Sequence, residues 1–160
     1  MLGIHFEGRP QKGSRLRNVS IKGVVIGSIT DIVTTNLLAL PVVFYVVATH
    51  NFSQIPKEQI SSILTQILKN DPALFAMQIL SGSACSVLGG YVAARIAKRH
   101  EILNGGLAAF LCVGGGLYAL LFGTTSFPLW QHLLGFVASP ALSSLGGYLR
   151  LRSVRKKSNI

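Results

Sequence analysis

Ser86-Val87-Leu88-Gly89-Gly90-Tyr91 returns later in the chain as Ser143-Ser144-Leu145-Gly146-Gly147-Tyr148. In the same register Arg95 falls on Arg152, Lys98 on Arg155 and Arg99 on Lys156. Each copy belongs to an apolar stretch with a small residue at every fourth position. The first stretch has Gly82, Ser86, Gly90 and Ala94, and the second has Gly135, Ser139, Ser143 and Gly147. Residues four apart share one helix face. In lipid, hydrophobicity does not drive helices together, and a ridge of small side chains lets two backbones approach closely. The repeat thus reads as the packing surface of two membrane helices running in the same direction. It predicts that the two ridges face one another or a second subunit.

Composition points the same way. Of 160 residues, 49% are hydrophobic and 12% charged, with a mean hydropathy of +0.50. A soluble domain carries about 25% charged residues, and a disordered chain is poor in apolar ones. Both are excluded. The length suits one small domain, with too little sequence outside the apolar stretches for a separate catalytic domain.

Four spans are predicted, at about 21–47, 72–97, 102–122 and 128–149. Each is long enough for a hydrocarbon core of ~30 Å. Asp31 and Pro41 interrupt the first, and its length argues against a cleavable signal peptide ending at Val46-Val47-Ala48. Asp71-Pro72 opens the second with a capping residue and a proline at the first helical position. Gly114-Gly115-Gly116 is expected to loosen the middle of the third. Trp130 stands where an interfacial anchor would open the fourth. Between the first two spans, Ile60, Ile63, Leu64, Ile67 and Leu68 form the apolar face of an amphipathic helix over 57–69, too short to cross and suited to the membrane surface. The expected fold is all-α: a polytopic membrane protein of four transmembrane helices in two tandem hairpins, plus the short outer helix.

Charge fixes the expected orientation. Thirteen of the 15 Lys and Arg residues lie in three blocks. These are Arg9, Lys12, Arg15, Arg17 and Lys22; then Arg95, Lys98 and Arg99; then Arg150, Arg152, Arg155, Lys156 and Lys157. Cytoplasmic segments hold the excess of positive charge. The arm at 1–20, the connection between the second and third helices, and the tail at 151–160 are therefore placed in the cytoplasm. The first connection has only Lys57 and Lys69, offset by Glu58 and Asp71, and Gly123-Thr124-Thr125-Ser126 has no charge. A net charge of +10 also raises nucleic acid, but no block contains the aromatic residues that stack on bases. Anionic lipid headgroups are the expected partners of the blocks.

Asp31 is the residue with the clearest chemical content. A carboxylate near mid-membrane costs about 2.5–3.5 kcal/mol or more unless paired, hydrated or protonated. Ser28, Thr34 and Thr35 share its helix face at i−3, i+3 and i+4. One reading is a proton or cation site served by those hydroxyls. The other is a hydrogen-bonded joint between helices, with Ser83 or Ser139 as partner. Cys85 and Cys112 read as small packing residues. His5, His50, His100 and His132 are scattered, so no metal site is expected. With no phosphate loop, nucleophile elbow or paired carboxylates, neither enzyme activity nor a cofactor is expected. Asn51-Phe52-Ser53 and Asn18-Val19-Ser20 fit a glycosylation pattern and are read as accidental.

The stretch Gly89-Gly90-Tyr91-Val92-Ala93-Ala94-Arg95, followed by Asn104-Gly105-Gly106, resembles small bacterial four-helix integral membrane proteins of unknown function. Their second and fourth helices are glycine-rich and end in basic residues. The resemblance covers helices two to four, implies a bacterial inner membrane and brings no catalytic residue. The leading functional expectation is a non-enzymatic interaction or scaffold protein, as a homo-oligomer or within a larger membrane complex. The alternative is a small transporter or channel component in which Asp31 handles a proton or cation.

Overall fold

The computed structural model describes residues 19–50, 52, 55–123 and 128–158. Most of the basic arm, both glycosylation patterns and Thr124-Thr125-Ser126 lie wholly or partly outside the described residues. Every element among the described residues is a helix. Helix α1 is Ile21–Thr49, begun by Ser20, whose Oγ accepts the Gly23 N–H at 3.2 Å. Helix α2 is the amphipathic Lys57–Asn70. Helix α3, Pro72–Ala97, is capped by Asp71, whose carboxylate accepts the N–H groups of Ala73 at 2.8 Å and Leu74 at 3.2 Å. Then follow α4, Glu101–Ala108, α5, Phe110–Leu121, and α6, Leu129–Ser158.

Three helices are long and apolar enough to cross a membrane: α1, α3 and the rod over 101–121 formed by α4 and α5. They mark a multi-pass membrane protein. Helix α6 is equally long, at 30 residues, but more polar. Two expectations about these elements are corrected. The third segment is irregular at Ala109, where the backbone N–H bonds Gly106 three residues back, whereas Gly114-Gly115-Gly116 stays helical. The fourth segment does not stop near 149 and continues to Ser158, carrying Arg150, Arg152, Arg155 and Lys156 as helix.

Side chains sort inside out. Ile29, Leu37, Leu40, Phe44, Leu80, Phe110, Leu121 and Val137 lie at the surface, while the interior holds Ser28, Asp31, Cys85, Ala93, Ala94, Asn104, Ser143 and several glycines. Lipid takes the large apolar groups, and the small ones allow backbones to touch. Helices α1 and α3 are antiparallel. A methyl group on Gly27 would sit 2.6 Å from Gly89 O, and one on Gly23 would sit 2.8 Å from Ala93 O.

Helix α6 wedges between α3 and α4. A Cβ on Gly90 would collide with the Ser143 backbone, one on Gly146 with Val87 O, and one on Gly147 with Glu101 O. Ser143 Oγ also donates to Gly105 O at 2.7 Å. The two ridges, expected to face one another or a second subunit, meet each other only in part. Gly90 meets Ser143, but Gly146 rather than Gly147 faces α3. Nothing lies within 4 Å of a Cβ built on Gly82 or Gly135. Past Gly90 and Ser143 the two helices separate, and the gap becomes a cavity.

Candidate functional site

Asp31 stands at the closed end of that cavity, about 15 Å along α1 by the ~1.5 Å rise per residue. It is 3% exposed. Three side chains donate to its carboxylate: Ser86 Oγ from α3 at 3.3 Å, Cys112 Sγ from α5 at 3.3 Å and Thr35 Oγ1 from its own helix at 3.5 Å. The bonds are long for hydroxyl donors, whose usual O···O separation is about 2.7–2.8 Å. Gly89 makes room for the residue: a Cβ there would lie 2.8 Å from Asp31 Cβ. The carboxylate is thus held where α1, α3 and α5 converge.

The cavity has a volume of about 610 Å³ and is lined from α1, α3, α5 and α6. Asp31, Thr35, Ser86 and Cys112 line its inner part, with Ser83, Gly82, Gly135 and Ser139 along the walls. Phe75, Gln78, Trp130, Gln131 and His132 line it nearer the starts of α3 and α6. Most of the remaining lining is apolar. Gln131 Oε1 is buried without a hydrogen-bond partner among the described residues. His132 Nδ1 lies 3.3 Å from Pro128 O, and its ring stands edge-on to Phe136. Pro140, inside α6, has no N–H to give Phe136 O.

The residues expected around Asp31 divide. Thr35 reaches its carboxylate. Thr34 turns to the backbone, with Oγ1 at 2.7 Å from Thr30 O and 3.2 Å from Asp31 O. Ser28 points to the neighbouring rod, 2.5 Å from Ala108 O, at the break before Ala109. Ser83 and Ser139, expected as interhelical partners, line the cavity, while Ser86 one turn deeper makes the bond. Among the ridge residues, Gly82, Ser86, Gly135 and Ser139 are cavity residues, whereas Gly90, Ala94, Ser143 and Gly147 are packing residues.

Three contributors were not anticipated. Cys112, read as packing, is a partner of Asp31. Matching depth across helices would have flagged it, since both lie roughly three turns in from the basic end. Gln131 gave no signal beyond being polar at the start of an apolar segment. Asn104 is fully buried and ties the other end of the molecule together. Its Oδ1 accepts Ser20 N–H at 2.8 Å, and its Nδ2 donates to Arg99 O at 2.9 Å and His100 O at 3.2 Å. No group of three or more His, Cys, Asp or Glu converges among the described residues.

Comparison with known protein families, characterised proteins and solved structures finds no match to this chain.

Proposed function

We propose that the protein is a four-span membrane protein of the small transporter or channel-component type, in which Asp31 receives a proton or cation. One observation carries this reading: an open cavity of about 610 Å³ ends on a carboxylate otherwise buried among helices. A purely structural aspartate would be closed off by packing. A carboxylate reached from a cavity can exchange what neutralises it. Ionisable residues inside membrane segments mark ion or proton pathways by default.

The fourth span in this reading is α6. Before its basic end at Arg150, the polar residues of α6, Gln131, His132, Ser139 and Ser143, turn inward, while Leu133, Val137 and Leu145 face out. Spans α1 with α3, and α4–α5 with α6, form the two hairpins of the duplicated unit. The basic end faces the cytoplasm, where it attracts anionic headgroups, and the cavity is reached from the outer side. In keeping with the resemblance, the membrane is that of a bacterium. The ridges that suggested a scaffold or interaction protein are occupied within the chain or line the cavity, which is why the cavity carries the proposal.

The test is flux in reconstituted vesicles. The wild-type chain should dissipate an imposed gradient of protons or a monovalent cation, and Asp31→Asn should lower that flux at least tenfold while eluting as the same particle in detergent. Flux that is absent for every gradient, organic monovalent cations included, or that survives Asp31→Asn, overturns the reading.

A further inference from the structure

The lining of the cavity is specific about what can neutralise Asp31. Resting on the reading of Asp31 as a cation site, we infer that the occupant is a monovalent organic cation with an apolar body, its charge seated at the carboxylate. Among the described residues, Asp31 is the one acidic side chain on the cavity wall, and no Lys or Arg lines it. One carboxylate balances one positive charge. A bare metal ion fits poorly, because hard cations take about six to eight oxygen ligands. Among the described residues, only the Thr35 and Ser86 hydroxyls approach the carboxylate, with a sulfur as the third neighbour.

The rest of the wall favours an organic body. Phe75, Trp130 and Phe136 line the space between Asp31 and the starts of α3 and α6. Aromatic faces attract cations through their quadrupole and also cover apolar surface. The volume, about 610 Å³, falls among small-molecule sites, which run about 300–1,000 Å³. Such a ligand would pass the aromatic residues first and reach the carboxylate with its positive centre desolvated.

The chain contains one tryptophan, and it lies on the cavity wall. Trp130 emission therefore reports occupancy directly. The full chain in detergent is titrated with tetraphenylphosphonium, and in parallel with tetraphenylborate, which has the same shape and the opposite charge. The expected result is a saturable emission change with the phosphonium alone, at least tenfold weaker in Asp31→Asn. Gly82→Leu is the second variant. Open space surrounds that position, so the side chain projects into the cavity and should weaken the response while Asp31 and the helix contacts remain. A response that is absent, unchanged in both variants or equal for the borate overturns the inference. Flux of Na+, K+ and protons is measured with the same protein in vesicles. Asp31-dependent inorganic flux without phosphonium binding removes the organic ligand only, and loss of both removes the cation-site reading as well.

Discussion

Gly82 and Gly90 lie two turns apart on one face of α3 and would look interchangeable in a helical projection, yet their surroundings are opposite. A Cβ on Gly90 meets the backbone of Ser143, and one on Gly82 meets nothing within 4 Å. Gly90→Ala should therefore destabilise the protein by on the order of 1–3 kcal/mol, the usual cost of overpacking a tight contact. Gly82→Ala should stay within about 0.5 kcal/mol of wild type, as surface-like changes do. Thermal unfolding of the two variants in one detergent checks the contrast, and equal behaviour would refute the divergence of α3 from α6. A second residue-scale prediction concerns Asn104, which satisfies one N–H and two carbonyls at the basic end. Asn104→Ala should cost on the order of 2–3 kcal/mol, because buried groups left unpaired carry their full desolvation penalty. A melting temperature equal to wild type would show that water replaces the side chain. These residues also mark the limit of reading a sequence alone. Asp31 stood out because a charge in an apolar run is visible locally. Its partners Ser86 and Cys112 come from two other helices, so only the packing could assign them.

Among the elements, the connection between α3 and α4 is the most constrained. Lys98 and His100 both adopt left-handed backbone conformations, with φ of 55° and 46°. For residues with a Cβ this costs roughly 1–2 kcal/mol each relative to right-handed helix. The turn is short because α3 and α4 must return side by side, and the Asn104 amide holds the Arg99 and His100 carbonyls in place. Lys98 occupies the position after a helix where glycine is preferred. Lys98→Gly should raise the unfolding temperature, with a gain of up to about 1 kcal/mol. A drop would mean that the lysine head group contributes more than its backbone costs. Local signals were reliable where they act locally. Asp71-Pro72 fixed the start of α3 because a cap needs only its own three following residues. The run Gly114-Gly115-Gly116 misled: nothing packs within 4 Å of a Cβ built on Gly114 or Gly115, and in lipid the backbone groups have no partner to bond but the helix itself. The irregularity at Ala109 follows Gly105-Gly106, with the Ala109 N–H bonding Gly106 O, and coincides with a hydroxyl, Ser28, reaching in from another helix. The end of α6 was placed too early because its charges begin at Arg150, and charge ends a span without ending a helix.

For the whole molecule, the described contacts collect the basic residues at one end. Gly23 approaches Ala97, Ser20 binds Asn104, and Gly147 abuts Glu101. The start of α1, the end of α3, the start of α4 and the latter part of α6 therefore lie together, with Lys22, Arg95, Lys98, Arg99 and Arg150 nearby. The cavity extends toward the opposite end, where Phe75 and Trp130 lie. This polarity makes span number a question of parity. If α6 crosses the membrane, the start of α1 and the end of α6 share one side; if only the three most apolar rods cross, they lie on opposite sides. Helix α6 is long enough, since 30 residues extend about 45 Å at ~1.5 Å per residue. Its lipid-facing residues are apolar, and its inward-facing polar groups need no lipid contact. The expected outcome is that reporters fused before residue 1 and after residue 160 both read as cytoplasmic. Single cysteines placed at Lys69 and Asn70, with Cys85 and Cys112 replaced, should label from outside in sealed cells. Reporters on opposite sides would leave α6 outside the bilayer. The cavity could not then be an intramembrane one, and the ion-site reading of Asp31 would fall with the fourth span.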